Sequence, residues 1–145
     1  MADVKIVDID GEQWNIKDQD AREKVAIIEK NISTQGLPDG QVTLENGYTC
    51  KSIKILSHYK AGNIHFAMIR IHDLSGEGIG STNQIKIAST NLKPKSGTSF
   101  ILRDYRAPAT ARGVITANGD LCLEESNGIK NGYNVMLGEI IFAEP

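Results

Sequence analysis

Beyond residue 40 this chain is punctuated by four Asn-Gly dipeptides, at Asn46-Gly47, Asn118-Gly119, Asn127-Gly128 and Asn131-Gly132. Asn and Gly tolerate the positive φ of tight hairpin turns, so a chain that spaces them between apolar runs is committed to strands joined by turns. The runs are rich in β-branched and aromatic residues and span 42–44, 49–56, 63–72, 84–88, 99–105, 113–116, 121–124 and 135–142. Eight strands at near-regular spacing predict a mainly β fold, an antiparallel β-sandwich of jelly-roll type or a barrel. The clearest hairpin is 114–123, with its type I′ turn expected at Asn118-Gly119. Twelve of the 14 glycines lie at or beyond Gly40, so the glycine excess is turn chemistry within one β domain. The uninterrupted apolar stretches Phe66-Ala67-Met68-Ile69 and Ile140-Ile141-Phe142 predict strands covered on both faces, by a second sheet and a neighbouring subunit.

The first forty residues follow a different pattern. Val4, Ile6 and Ile9 alternate with charged residues, Asp10-Gly11 is a turn signal, and Trp14 and Ile16 resume the alternation, which predicts a short β-hairpin. Such a hairpin is marginal in water and must dock on something else. From Asp18 the period changes, and Ala21, Val25, Ile28 and Ile32 recur at helical spacing behind an Asp cap. The seam is mostly β-branched, a composition that favours trimers over dimers, although a helix this short could equally pack on its own domain. Gly36-Leu37-Pro38-Asp39-Gly40 ends the helix and predicts a linker, dividing the chain into an attachment segment, 1–40, and a head, 41–145.

Composition narrows the function. Sixteen basic and eighteen acidic residues give a net charge of −2 without a basic block, which argues against nucleic acid as a partner. No apolar run approaches the roughly 20 residues of a membrane span, so no membrane insertion is expected. The N-terminus lacks the basic and apolar regions of a secretory signal, so synthesis in a cytosol and free thiols at Cys50 and Cys122 are expected. No nucleophile elbow, metalloprotease motif or phosphate loop is present, and His65 and His72, seven apart in one strand, point to opposite faces. No catalytic residue, cofactor or metal site is therefore expected. The glycine-rich run 76–80 reads as a flexible loop.

One cluster has the chemistry of a binding surface. In Arg103-Asp104-Tyr105-Arg106 two guanidinium forks, a carboxylate and a flat aromatic face come together, a combination that suits a polyhydroxylated or phosphorylated ligand. His72 and Asp73 at a strand end and Tyr59 in a turn would add similar groups. The alternative is a strand edge guarded by charges.

The segment from Val4 to Arg22, in which an aspartate-rich strand leads through Trp14 and Lys17-Asp18 to Ala21-Arg22, resembles the N-terminal segment of tail, baseplate and fibre proteins of phages and prophages of Gram-positive bacteria. The remainder resembles, at the level of pattern, the β-sandwich heads of phage receptor-binding proteins, through the hairpin at 117–121 and the closing Gly138-Glu139-Ile140-Ile141-Phe142. The resemblance implies a non-enzymatic virion protein made in the host cytoplasm. It implies a homotrimer, attached to other virion proteins through Trp14 and Ile16, that binds host surface polysaccharide or teichoic acid. The alternatives are a structural virion component that touches only other virion proteins, and a small glycan-cleaving enzyme.

Overall fold

The structure, a computed structural model, describes residues 5–7, 13–15 and 34–145. Within the N-terminal unit, β1 (Lys5–Val7) and β2 (Gln13–Asn15) pair antiparallel, with Ile6 opposite Trp14, as expected for the hairpin. Ile16 and the predicted helix with Ala21, Val25, Ile28 and Ile32 lie outside the described residues.

Residues Thr34–Pro145 form a separate compact unit built on one antiparallel sheet. Its strands are β3 (Thr34–Gly36), β4 (Val42–Leu44), β5 (Ser52–Ala61), β6 (Ile64–His72), β7 (Ile85–Thr90), β8 (Thr98–Asp104), β9 (Thr110–Ile115), β10 (Asp120–Glu124) and β11 (Val135–Ala143). Their order is β3-β5-β6-β11-β8-β9-β10-β7-β4. The mainly β, antiparallel architecture is the one the sequence predicts, and each of the eight expected runs overlaps a strand, although β5 runs on to Ala61 and β9 begins at Thr110. Hydrogen bonding runs continuously around the unit, so the two layers of the sandwich join into a nearly closed barrel. Residues 34–44 make that closure. Leu37 N donates to His58 O and Gly40 N to Ile55 O on β5, and two residues later Val42 pairs with Thr90 of β7. The expected linker at 36–40 is thus partly sheet, since Gly36 pairs with Tyr59.

Alternation along the strands sends one face inward. Ile55, Ile69, Ile71, Leu102, Leu121 and Ile140 have no exposed surface, and each contributes roughly 1.5–3 kcal/mol by leaving water. Cys122 is buried and Cys50 half-buried, both free thiols whose pKa is raised by burial.

Two local departures from the sequence pattern matter below. The loop at Asn118-Gly119 is not type I′. Gly119 N donates to Thr116 O and only Gly119 has positive φ, so a type I turn is followed by a left-handed glycine before Asp120 closes back on Thr116. The type I′ geometry occurs instead at Asn46-Gly47, where both residues have positive φ. On β5 the register shifts between Leu56 and Tyr59, so that two residues face one on β6, a β-bulge with Ser57 at φ 53°. Strict alternation from the buried Ile55 would turn Tyr59 inward. The bulge reverses the phase, turns Tyr59 outward, and sets Lys60 opposite His65.

Candidate functional site

β11 lies between β6 and β8, which brings the end of each to one corner of the barrel: Val135 pairs with His72, and Met136 with Asp104. The chain leaves β8 through a short loop closed by Asp104 N donating to Ala109 O. Asp104 is 3% exposed, and its Oδ1 accepts from Arg106 N at 2.9 Å and Val135 N at 3.0 Å, while Oδ2 has no partner. Beside it Asn134, fully buried, accepts from Leu74 N and donates through Nδ2 to Leu74 O and Lys130 O. These two side chains hold together the three loops that carry the site.

On that frame Arg106 forms an ion pair with Asp73, and its second terminal nitrogen lies 3.0 Å from His72 Nε2. Because a guanidinium only donates, this contact requires Nε2 to be unprotonated. The same nitrogen lies 3.5 Å from Asp73 Oδ2. The guanidinium sits 4.4 Å over the Tyr133 ring, which is exposed. With Asp73 offsetting the Arg106 charge, the corner offers directed donors and acceptors around an aromatic face, an arrangement suited to ligand hydroxyls.

Of the residues the sequence singles out, Arg106, His72 and Asp73 come together here. Asp104 does not present an acceptor to ligand as expected: it is buried, spent on two main-chain N–H groups, and positions the corner. Tyr59 is also displaced. It lies in strand β5, not a turn, opposite Phe66, and Phe66 is six positions along β6 from His72, about 20 Å at strand rise. Arg103 and Tyr105 project from the outer face of the sheet, where they line a shallow groove of ≈ 410 Å³ with Ile101, Leu137 and Glu139. Tyr105 continues into a second depression of ≈ 280 Å³ with Arg70, Val135 and Leu137. Sequence reasoning missed Tyr133 and Asn134, whose one signal was their place just after the Asn131-Gly132 turn.

The outer face carries a second feature. Tyr59 stacks on Phe66, with ring centroids 5.2 Å apart and planes 13° from parallel, above a depression lined by Ser57, Met68 and Ile141. Ile101 and Tyr105, 62% and 65% exposed, extend this strip across β11 to β8, interrupted by Glu139 and Arg103. Among the described residues of the barrel nothing covers the outward side of the apolar runs in β6 and β11.

Among the described residues no group of three or more His, Cys, Asp or Glu side chains could hold a metal ion. The run 76–80 is tied down by Gly80 N donating to Ser126 Oγ and Tyr48 Oη donating to Glu77 O.

No protein-family model matches the chain, and no curated protein is similar to it in sequence. Its fold is similar to that of the receptor binding protein (gp15) of Listeria phage PSA, with a TM-score of 0.51 at 18% identity, over 88% of this chain and 74% of that one. The fold is thus of the kind a phage receptor-binding protein uses.

Proposed function

We propose that this chain is a non-enzymatic virion protein of a phage or prophage of Gram-positive bacteria, of tail-fibre or receptor-binding type, made in the host cytoplasm and attaching to host surface polysaccharide or teichoic acid. The observation that carries this reading is the likeness of its barrel to a phage receptor binding protein. The corner formed by Arg106, Asp73, His72 and Tyr133 supports a glycan as ligand, because it offers hydrogen-bonding groups beside an exposed ring. The uncovered strip from Tyr59 to Ile101 and Tyr105 supports self-association. A homotrimer would cover that strip, and the seam at Ala21, Val25, Ile28 and Ile32 would join the same chains, each contact raising the effective concentration of the other. Trp14 and Ile16 would then anchor the chain to other virion proteins.

The same strip favours one alternative, a structural virion component whose contacts are all with protein. Co-sedimentation of the full chain with purified Gram-positive cell walls, intact or stripped of polysaccharide and teichoic acid, separates the readings. Attachment predicts sedimentation with intact walls alone, no release of soluble sugar, and a light-scattering mass three times the chain's 15.8 kDa. Equal behaviour on intact and stripped walls favours the structural alternative, and released sugar a glycan-cleaving enzyme.

A further inference from the structure

Away from the corner, a chain of polar groups links the segment before β4 to the end of β11. His58, placed by the β5 bulge, contacts Pro38 O through Nδ1 at 3.2 Å and His65 Nδ1 through Nε2 at 2.9 Å. His65 Nε2 in turn lies 3.0 Å from Glu144 Oε2. His65 is nearly buried, with its ring stacked on Phe142 at 4.6 Å. Glu144 is fixed by its main-chain N donating to Asn63 O and by Lys60 at 3.3 Å. The other charged groups facing the pair are Asp39 on the entering segment and Lys93 from the loop after β7, whose ammonium is engaged by Asn118 O.

The number of protons in this chain is decisive. A carbonyl and a carboxylate stand at its ends, both acceptors, with two imidazoles between them. Three links need three protons, whichever way the rings are turned, and two neutral imidazoles supply only two. We infer that His58, His65 and Glu144 form a pH-sensitive latch, closed when the histidine pair carries one extra proton, that fastens the Pro38 segment to the barrel.

The direction of the switch follows. Hydrogen bonds from His65 and Lys60 hold the Glu144 carboxyl below its ordinary value, so it stays charged until the pH falls well into the carboxylate range. Burial, the largest influence, keeps His58 below the ordinary imidazole range, so His58 holds no extra proton of its own once the pH reaches that range. As pH rises the pair loses that proton. The two that remain fill the strongest links, His65 to Glu144 and His58 to His65, because a charge-assisted bond holds best. His58 then turns a bare lone pair toward Pro38 O and that link opens. The Pro38 link is thus made while the pair carries its extra proton and opens when that proton is lost, and the His65–Glu144 ion pair is lost in acid once Glu144 is protonated.

Hydrogen exchange at the Leu37 and Gly40 amides, corrected for intrinsic rates, reads the latch. Between about pH 5.5 and about pH 7.5 their protection is expected to fall about five-fold relative to β6 amides, the factor that one lost hydrogen bond carries. Glu144→Gln should remove this dependence and keep the latch closed at both values. The amide of glutamine can donate to neutral His65, so all three links form without an extra proton. Long-range nitrogen NMR of the imidazoles in the unaltered chain should count three ring protons on the pair at the lower pH and two at the higher. Equal protection at both pH values, a pH dependence that persists in Glu144→Gln, or an unchanged proton count would each overturn the latch.

Discussion

Replacing Gly119 with valine is expected to destabilise the protein by about 4 kcal/mol and to lower its melting temperature by roughly 10 °C. Two effects add. Gly119 has φ +88°, a conformation that strains a β-branched residue by about 1–2 kcal/mol. A Cβ there would also lie 2.6 Å from Thr90 O and 2.8 Å from Leu92 O, and crowding of that kind costs about 1–3 kcal/mol because main chain cannot swing aside. The damage should spread, since Gly119 O accepts from both Thr90 N and Thr90 Oγ1 and so ties the β9–β10 hairpin to the end of β7. Gly36→Ala is the control: a Cβ there meets nothing within 4 Å, and its effect should stay within about 0.5 kcal/mol. Urea denaturation of both variants checks the pair, and a Gly119→Val loss below about 1 kcal/mol would contradict the turn geometry.

Asn134→Ala should cost about 3 kcal/mol and with it the binding corner. Its amide satisfies Leu74 N, Leu74 O and Lys130 O in a place no water reaches. Truncation leaves the buried Leu74 N–H unpaired, at about 1–3 kcal/mol, and takes one of two donors from Leu74 O and Lys130 O, which keep Gly132 N and Tyr133 N, at about 0.5–1.5 kcal/mol each. Those bonds hold the loop of Asp73 against the loop of Tyr133. The variant should therefore lose wall binding at temperatures where circular dichroism still reports a folded sheet, and a folded, fully binding Asn134→Ala would show that the corner is held by other means.

What was legible in the sequence follows from how local each signal is. The eight strands β4 to β11 were readable because alternation and turn residues lie within a few positions of each other. β3 was not, since Thr34-Gln35-Gly36 has no apolar period and is a strand only because β5 offers an edge. The Asn-Gly pair at 118–119 signals a turn without fixing its type, because a left-handed glycine serves a type I turn as well as type I′. The outward orientation of Tyr59 depends on the bulge at Ser57, and alternation from Ile55 gives the opposite answer. In the site, Arg106, His72 and Asp73 were readable as polar groups at strand ends. Tyr133, Asn134 and the burial of Asp104 were not, because they depend on β11 inserting between β6 and β8, a pairing of segments distant in sequence. The hairpin pairing of Trp14 with Ile6 was readable for the same local reason as the long strands.

Attachment through the corner is tested most directly by the affinity of Arg106→Ala for intact Gram-positive walls, measured beside the unaltered chain with the melting temperature of each. The guanidinium joins Asp73, His72 and Tyr133, and a lost charged hydrogen-bonding group of this kind carries about 1.5–3 kcal/mol, roughly a ten-fold or greater loss of affinity. Its side chain is partly exposed, so melting should shift by only a few degrees. Weakened binding with melting preserved is the expected result, and wall binding of undiminished affinity in Arg106→Ala would contradict it.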